Sequence, residues 1–215
     1  MDNLSKSLEA HYLKGEYAEA QKLLLANKDQ FDLGLFHYNL GTTLMKMGNF
    51  AAGRYHMEKA LKAGYVDSKV LHNLSVAKSH LSVNDIGNST NPLDIVLSFS
   101  LDIPFSLYLS LTLVFAFIML LLIRLKKLTR PYLMIVLGVI VFLPLFYAGI
   151  FLNRFNFAMT LNDSPLREGP SQIYGELTKV KAGSKFIVGE SQGDWFYIKS
   201  PTSMVGWIKK DDIAF

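Results

Sequence analysis

Two long uncharged runs dominate the distribution of apolar residues along the chain. No charged residue occurs at 103–123 or at 131–153, and most positions in both runs are Leu, Ile, Val, Phe or Met. A helix needs about 20 apolar residues to cross the hydrocarbon core of a bilayer. Two buried helices of a soluble core would also be apolar, but 215 residues with polar flanks are too few to surround them. The pattern predicts a multi-domain membrane protein with transmembrane helices at 103–123 and 131–153.

Residues 1–83 carry an internal period. A Gly-x-aromatic segment at 15–17 recurs at 48–50, an offset of 33 residues, and a small residue follows three positions later in both copies, Ala20 and Gly53. Periods near this length indicate stacked helix pairs, in which small residues let neighbouring helices approach. The segment resembles the tetratricopeptide repeat (TPR), and we expect an all-α helical repeat of two TPR units and a capping helix.

The resemblance to TPR proteins implies a concave groove lined by the first helix of each repeat. Asn39 and Asn73 would lie on it and could bind the backbone of an extended peptide. Ordinary polar repeat surface is an equally good interpretation of both asparagines. Residues 84–102 begin with a cluster of turn formers and continue with mixed apolar and polar positions, which indicates a linker and a juxtamembrane segment.

The C-terminal residues change to a β pattern. Short β-favouring stretches at 185–188, 195–199 and 205–208 are separated by glycine and proline. Strands at this spacing indicate a small all-β barrel or sandwich. The order of Gly-Asp-Trp-Phe-Tyr at 193–197 and Gly-Trp-Ile after it resembles a bacterial SH3-like domain, which we expect to cover 157–215.

Three aromatic residues are the candidates for function in this SH3-like barrel, namely Trp195, Tyr197 and Trp207. In so small a domain large side chains are needed to bury enough area, so the two tryptophans are better interpreted as packing residues than as a ligand platform. The family resemblance implies binding of peptides, including cell-wall peptides.

Charge predicts the membrane topology. The loop at 124–130 holds four cations and no acid: Arg124, Lys126, Lys127 and Arg130. By the positive-inside rule this loop stays in the cytoplasm, so that the domains at 1–83 and 157–215 would be periplasmic. The outer flanks carry Asp94, Asp102 and Arg154. The net charge of +4 therefore reflects membrane topology. It does not indicate a basic surface for binding nucleic acid.

The N-terminal segment Met1–Leu25 shows no basic stretch followed by an apolar one, as an export signal would have. Three alternatives stay open: the precursor begins upstream, the first transmembrane helix exports the N-terminal domain, or the topology is inverted.

Motifs for catalysis are not found. The chain has no cysteine, and it lacks a Gly-rich phosphate loop, a nucleophile elbow and a His-Glu-x-x-His motif. None of the five histidines forms an i, i+4 pair that would bind a metal from one helix. We therefore expect no enzyme activity, no cofactor and no metal site.

The order of TPR units, two transmembrane helices with a basic loop, and an SH3-like domain resembles the BatE-type membrane proteins of bacterial aerotolerance operons. This resemblance implies an accessory protein of the inner membrane that works beside von Willebrand factor A-domain membrane proteins and a MoxR-type ATPase. The leading hypothesis is a non-catalytic scaffold. The alternative is an envelope sensor or anchor that binds peptidoglycan through the SH3-like domain.

Overall fold

The computed structural model describes residues 2–81, 83, 86–127, 129–152 and 156–215. The chain forms two compact units. One, called the head below, consists of Met1–Asp102 together with Asn156–Phe215, and the other of Ile103–Phe155. The head therefore combines the N-terminal helices with the C-terminal strands, and the second unit contains the long apolar helices.

Five α-helices build the N-terminal part of the head. They are α1 (Asp2–Leu13), α2 (Tyr17–Ala26), α3 (Leu33–Lys46), α4 (Phe50–Lys62) and α5 (Ser68–His80). The helices pack in chain order, α1 on α2, α2 on α3, α3 on α4 and α4 on α5. Asp32, Asn49 and Asp67 cap α3, α4 and α5, because each side chain accepts a hydrogen bond from a backbone N–H of the first turn.

Small residues determine how closely α3 and α4 cross. A Cβ atom added at Gly41 would lie 3.1 Å from the carbonyl oxygen of Gly53, and one added at Gly53 would collide with Met45. The two backbones are therefore in near contact at this point. Beside the crossing, the helices share an apolar cluster of Leu24, Phe36, Leu40, Leu44 and Ala52.

Seven antiparallel strands build the C-terminal part, the β domain. They are β1 (Asn156–Thr160), β2 (Ser164–Arg167), β3 (Glu176–Val180), β4 (Lys185–Gln192), β5 (Trp195–Ser200), β6 (Gly206–Lys209) and β7 (Ile213–Ala214). Their order in the sheet is β3-β2-β6-β5-β4-β1-β7. The three strands predicted from the sequence are present as β4, β5 and β6. The core contains Leu166, Val180, Phe186, Val188, Ile198 and Ile208.

A sixth helix, α6 (Pro92–Asp102), follows a 3-10 turn at Ile86–Asn88. Its Asp94 carboxylate is buried and accepts hydrogen bonds from the hydroxyl groups of Ser89, at 2.6 Å, and of Ser200. Because Ser200 is the last residue of β5, its hydrogen bond attaches α6 to the β domain. The predicted linker includes Ser82, Asn84 and Asp85, which lie outside the described residues.

The second unit consists of α7 (Phe105–Arg124) and α8 (Pro131–Phe146), which continues as a π-helical turn at Tyr147–Phe151. By length and composition, Phe105–Arg124 and Pro131–Ile150 could each cross a membrane. Pro144 lies inside α8. Because proline has no backbone N–H, it interrupts the α-helical hydrogen bonds shortly before the wider π turn begins.

The loop between these helices exposes all four predicted topology cations, Arg124, Lys126, Lys127 and Arg130. Lys126 has a φ angle of +53°, and the Arg130 guanidinium donates a hydrogen bond of 2.8 Å to the Tyr132 hydroxyl. Leu128, and Asn153 and Arg154 at the outer end of the second predicted span, lie outside the described residues.

Candidate binding site

A groove of about 340 Å³ opens between α1 and α3. Its wall is lined by Ser5, Leu8, Glu9 and Tyr12 of α1, and by Phe31, Leu35, Tyr38, Asn39, Thr42 and Thr43. Aromatic and aliphatic side chains alternate there with hydroxyl, amide and carboxyl groups. Such a lining can bury apolar side chains of a ligand while its polar groups bind the ligand backbone.

Asn39 and Asn73 reach this groove in different ways. Asn39 is part of the wall. Asn73 belongs to α5, and its side-chain amide donates a hydrogen bond of 3.3 Å to the Thr42 hydroxyl. Thr42 also lines the groove, so Asn73 supports the wall through a neighbour. Asn39 is thus the asparagine that can contact a ligand in the groove directly.

Tyr12 adds a phenol to the groove. Burial raises its pKa, and the nearby Tyr17 and Tyr38 raise it further. The phenol therefore stays protonated at neutral pH and can donate a hydrogen bond to a ligand carbonyl group. The signal in the sequence was weak, because Tyr12 belongs to α1 and lies before the first Gly-x-aromatic segment.

A buried group of three charges lies between the helices and the strands of the head and is called the charge cluster below: Arg54, Glu58 and Lys185. Arg54 Nε donates to Glu58 Oε1 at 3.0 Å, and Lys185 Nζ lies 2.7 Å from Glu58 Oε2. Arg54 and Lys185 are only 2% and 7% exposed. The cluster joins α4 to β4, because Arg54 and Glu58 lie one helical turn apart on α4.

Both oxygens of Glu58 are therefore paired with cations. Burial alone would raise the pKa of Glu58, but the charges of Lys185 and Arg54 and the hydrogen bond from Lys185 lower it to about 2. Arg54 also donates a hydrogen bond of 2.8 Å to the carbonyl oxygen of Gly183 in the β domain. The Glu58 carboxylate therefore stays ionised over the physiological pH range.

Neutral contacts also join the helices and the strands. The Tyr55 hydroxyl donates a hydrogen bond of 2.5 Å to the Phe215 carbonyl oxygen. Leu161, which follows β1, packs against the apolar cluster of the helices. Gly183 has a φ angle of +82°, and a Cβ atom there would lie 2.6 Å from Leu81. Hydrogen bonds and apolar packing therefore accompany the charge cluster between the helices and the strands.

This contact between the helices and the strands is not predictable from the sequence. The sequence contains one indication of it. In the predicted strand 185–188, apolar and polar residues do not alternate, because three apolar residues follow Lys185. All four residues are buried, as is typical of a strand covered on both faces. A lysine at the start of such a strand needs a buried partner, but the sequence does not indicate that Glu58 supplies it.

The three candidate aromatics of the β domain have different environments. Tyr197 pairs with Trp207 across β5 and β6, with ring centroids 5.4 Å apart, and both are half-buried. Trp195 is only 8% exposed and is better suited to packing. Beside Trp207 in the sheet, Arg167 donates hydrogen bonds to the carbonyl oxygens of Gln172 and Tyr174 and so fixes the loop after β2. Of the three candidates, Tyr197 and Trp207 are therefore the two that remain partly accessible.

Two histidines that are far apart in the sequence meet between α3 and α4. His37 Nδ1 lies 2.9 Å from His56 Nδ1, and the rings stack. Burial lowers the pKa of His56 to about 4, with contributions from His37 and Lys59. Only one of the two facing nitrogen atoms needs a proton to make this hydrogen bond, so both rings can be neutral.

Among the residues that the structure describes, no group of three or more His, Cys, Asp or Glu could hold a metal ion.

Comparison with known proteins identifies one part of the chain. The family model described as "Bacterial SH3 domain" matches residues 163–214. These residues form a bacterial SH3 domain. The match contains β2 to β7, and β1 lies before it. No curated protein and no solved structure matches the chain. An SH3 domain of this kind is a module for binding proteins or the cell wall.

Proposed function

We propose that the protein is a non-catalytic membrane scaffold whose head presents two binding surfaces in one fixed arrangement. The observation that carries the proposal is the charge cluster. It joins α4 to β4 through buried charges, while the groove between α1 and α3 and the Tyr197–Trp207 pair stay accessible. A chain that only needed two independent modules would have no use for a buried ionic contact between them.

The internal period of 33 residues and the glycine crossing of α3 and α4 support a TPR-like origin of the helices. In this reading, Asn39 and Tyr12 bind the backbone of a protein segment lying in the groove. The resemblance to BatE-type proteins suggests the partners, namely von Willebrand factor A-domain membrane proteins of the same operon and its MoxR-type ATPase.

The two apolar helices would anchor the head in the bacterial inner membrane. Only 6% of each apolar window is buried inside the structure, which disfavours two core helices of a soluble protein. The four cations of the loop would keep it cytoplasmic and leave both parts of the head periplasmic.

Cysteine tagging tests this orientation. Because the chain has no cysteine, single cysteines at Lys62 and Lys127 can be tagged selectively. A membrane-impermeant reagent should label position 62 in intact cells and position 127 only after lysis; the reverse result would contradict this orientation.

Purification in mild detergent tests the scaffold itself. The wild-type protein should recover a stoichiometric protein partner, and the Asn39→Ala variant should lose most of it. The matched control is Asn73→Ala. Asn73 binds Thr42 and does not line the groove, so this variant should recover more of the partner than Asn39→Ala. Equal recovery with all three proteins would contradict a partner in the groove.

The SH3 domain supports a second candidate function, an anchor or sensor that binds peptidoglycan. Purified cell-wall sacculi should then retain the detergent-solubilised wild-type protein and release the Trp207→Ala variant. If sacculi retain neither protein while the partner is still recovered, the scaffold is the better account.

A further inference from the structure

Helix α6 has its polar side turned inward and its apolar side turned outward. Asp94 and Ser98, one helical turn apart, are 4% and 9% exposed, whereas Leu93, Val96 and Phe99 are 70%, 55% and 70% exposed. This is the reverse of an ordinary surface helix, which buries its apolar stripe and exposes its polar face. The three apolar residues recur at a spacing of three, so they lie on neighbouring turns of one side of the helix.

Hydrogen bonds determine which side of α6 faces the head. The Asp94 carboxylate accepts hydrogen bonds from the Ser89 and Ser200 hydroxyls. Rotating the helix to bury Phe99 would break these bonds, and a carboxylate that is buried without partners is costly. The outward apolar side is therefore a consequence of how α6 is fastened to the head, and an aqueous environment would disfavour it.

The position of α6 in the chain indicates what covers this side. Ile103 and Pro104 alone separate α6 from α7, the first apolar helix. Residues 92–102 include no Lys or Arg, so that attraction to anionic lipid headgroups contributes nothing to binding. The driving force for binding is therefore the burial of apolar side chains. Because α6 is joined to a membrane-spanning helix by only two residues, the bilayer is the nearest apolar environment.

We propose that α6 is an interfacial membrane helix, with Leu93, Val96 and Phe99 inserted at the boundary between headgroups and acyl chains. Its Asp94 contact with Ser200 would then attach the β domain of the head to the membrane surface. This inference rests on the proposed membrane anchoring. It adds a second attachment besides the two spanning helices.

Lipid quenching tests the inference on the full chain reconstituted into vesicles. Single cysteines at Phe99, at Phe117 in α7 and at Lys62 in α4 each carry an environment-sensitive fluorophore, and the vesicles contain brominated lipids. We expect loss of fluorescence at positions 117 and 99, and none at position 62. The loss at 99 should be the same in zwitterionic and anionic vesicles, because α6 has no cationic side chain.

The control at position 117 separates the two proposals. If neither 117 nor 99 is quenched, the membrane anchoring itself is wrong. If 117 is quenched and 99 remains open to an aqueous quencher, the interfacial helix is overturned. Protection of 99 from both quenchers would mean that a second copy or another protein covers α6, and it would also overturn the inference.

Discussion

Replacing Glu58 by glutamine removes the negative charge at the centre of the charge cluster and keeps the size of the side chain. The neighbouring Lys185 and Arg54 side chains are 9% and 3% exposed, so both cations would stay buried without their counterion. Removing one partner of a buried ion pair costs about 3 kcal/mol or more of folding free energy.

The pKa of Glu58 predicts how the stability depends on pH. The ordinary value is 4.5, and the two cations lower it to about 2 in the folded protein. A folded-state pKa below the unfolded one stabilises the protein above pH 4.5, and this contribution disappears as the pH falls to about 2. The Glu58→Gln variant should lack this pH dependence, because it has no carboxyl group to titrate.

Urea unfolding of the full chain in detergent is a suitable assay, because Trp195 and Trp207 both lie in the SH3 domain and report its opening by fluorescence. Glu58→Gln should lower the free energy of unfolding by about 3 kcal/mol. The matched control Glu19→Gln removes an exposed ion pair with Lys22 and should change nothing measurable.

Replacing all three members of the cluster by apolar residues of similar volume, Arg54→Met, Glu58→Leu and Lys185→Met, should restore most of the stability lost in Glu58→Gln. A Glu58→Gln variant with the stability of wild type would refute the reasoning, because it would mean that water reaches the cluster or that the helices and strands separate in solution.

Two further predictions concern the helices and their contact with the SH3 domain. The pKa of His56 is lowered to about 4 from an ordinary 6.5, chiefly by burial. The unfolded chain therefore takes up a proton first, and stability should fall by up to about 3 kcal/mol as the pH drops from 6.5 to 4. Thermal unfolding of His56→Asn should lose this part of the slope, and a slope unchanged from wild type would contradict the burial of His56. Gly183→Ala combines a positive φ angle with a collision against Leu81, whereas Gly193→Ala has a positive φ angle and open space. The first should lose about 1 kcal/mol more than the second in the urea assay, and equal losses would mean that Leu81 does not pack there.

Periodicity made the elements of this protein predictable. The uncharged runs correspond to α7 and α8, and the repeated Gly-x-aromatic segments lie at the turns that precede α2 and α4. The three predicted strands are β4, β5 and β6, and Phe196 and Ile198 both pack toward the SH3 core, as their alternation indicates. All of these signals are local, since they depend on the hydrophobicity and turn propensity of neighbouring residues.

The contacts between distant segments could not be predicted in the same way. Arg54 and Glu58 look like an ordinary i, i+4 pair on a solvated helix face, and Lys185 looks like the edge of a strand. Nothing in one sequence connects them across more than 120 residues that include both apolar helices. Likewise, α6 was predicted as a juxtamembrane segment, but which of its sides faces the head depends on Ser200, which lies on a strand near the other end of the chain.

The scaffold account depends most directly on the helices and the SH3 domain moving as one body. Spin labels on cysteines at Lys62 and Glu190, both exposed, allow the distance between α4 and β4 to be measured by electron paramagnetic resonance in the reconstituted full chain. The account predicts one narrow distance distribution that broadens in Glu58→Gln. A broad distribution in the wild-type protein would contradict it, because the two binding surfaces would then be independent of each other.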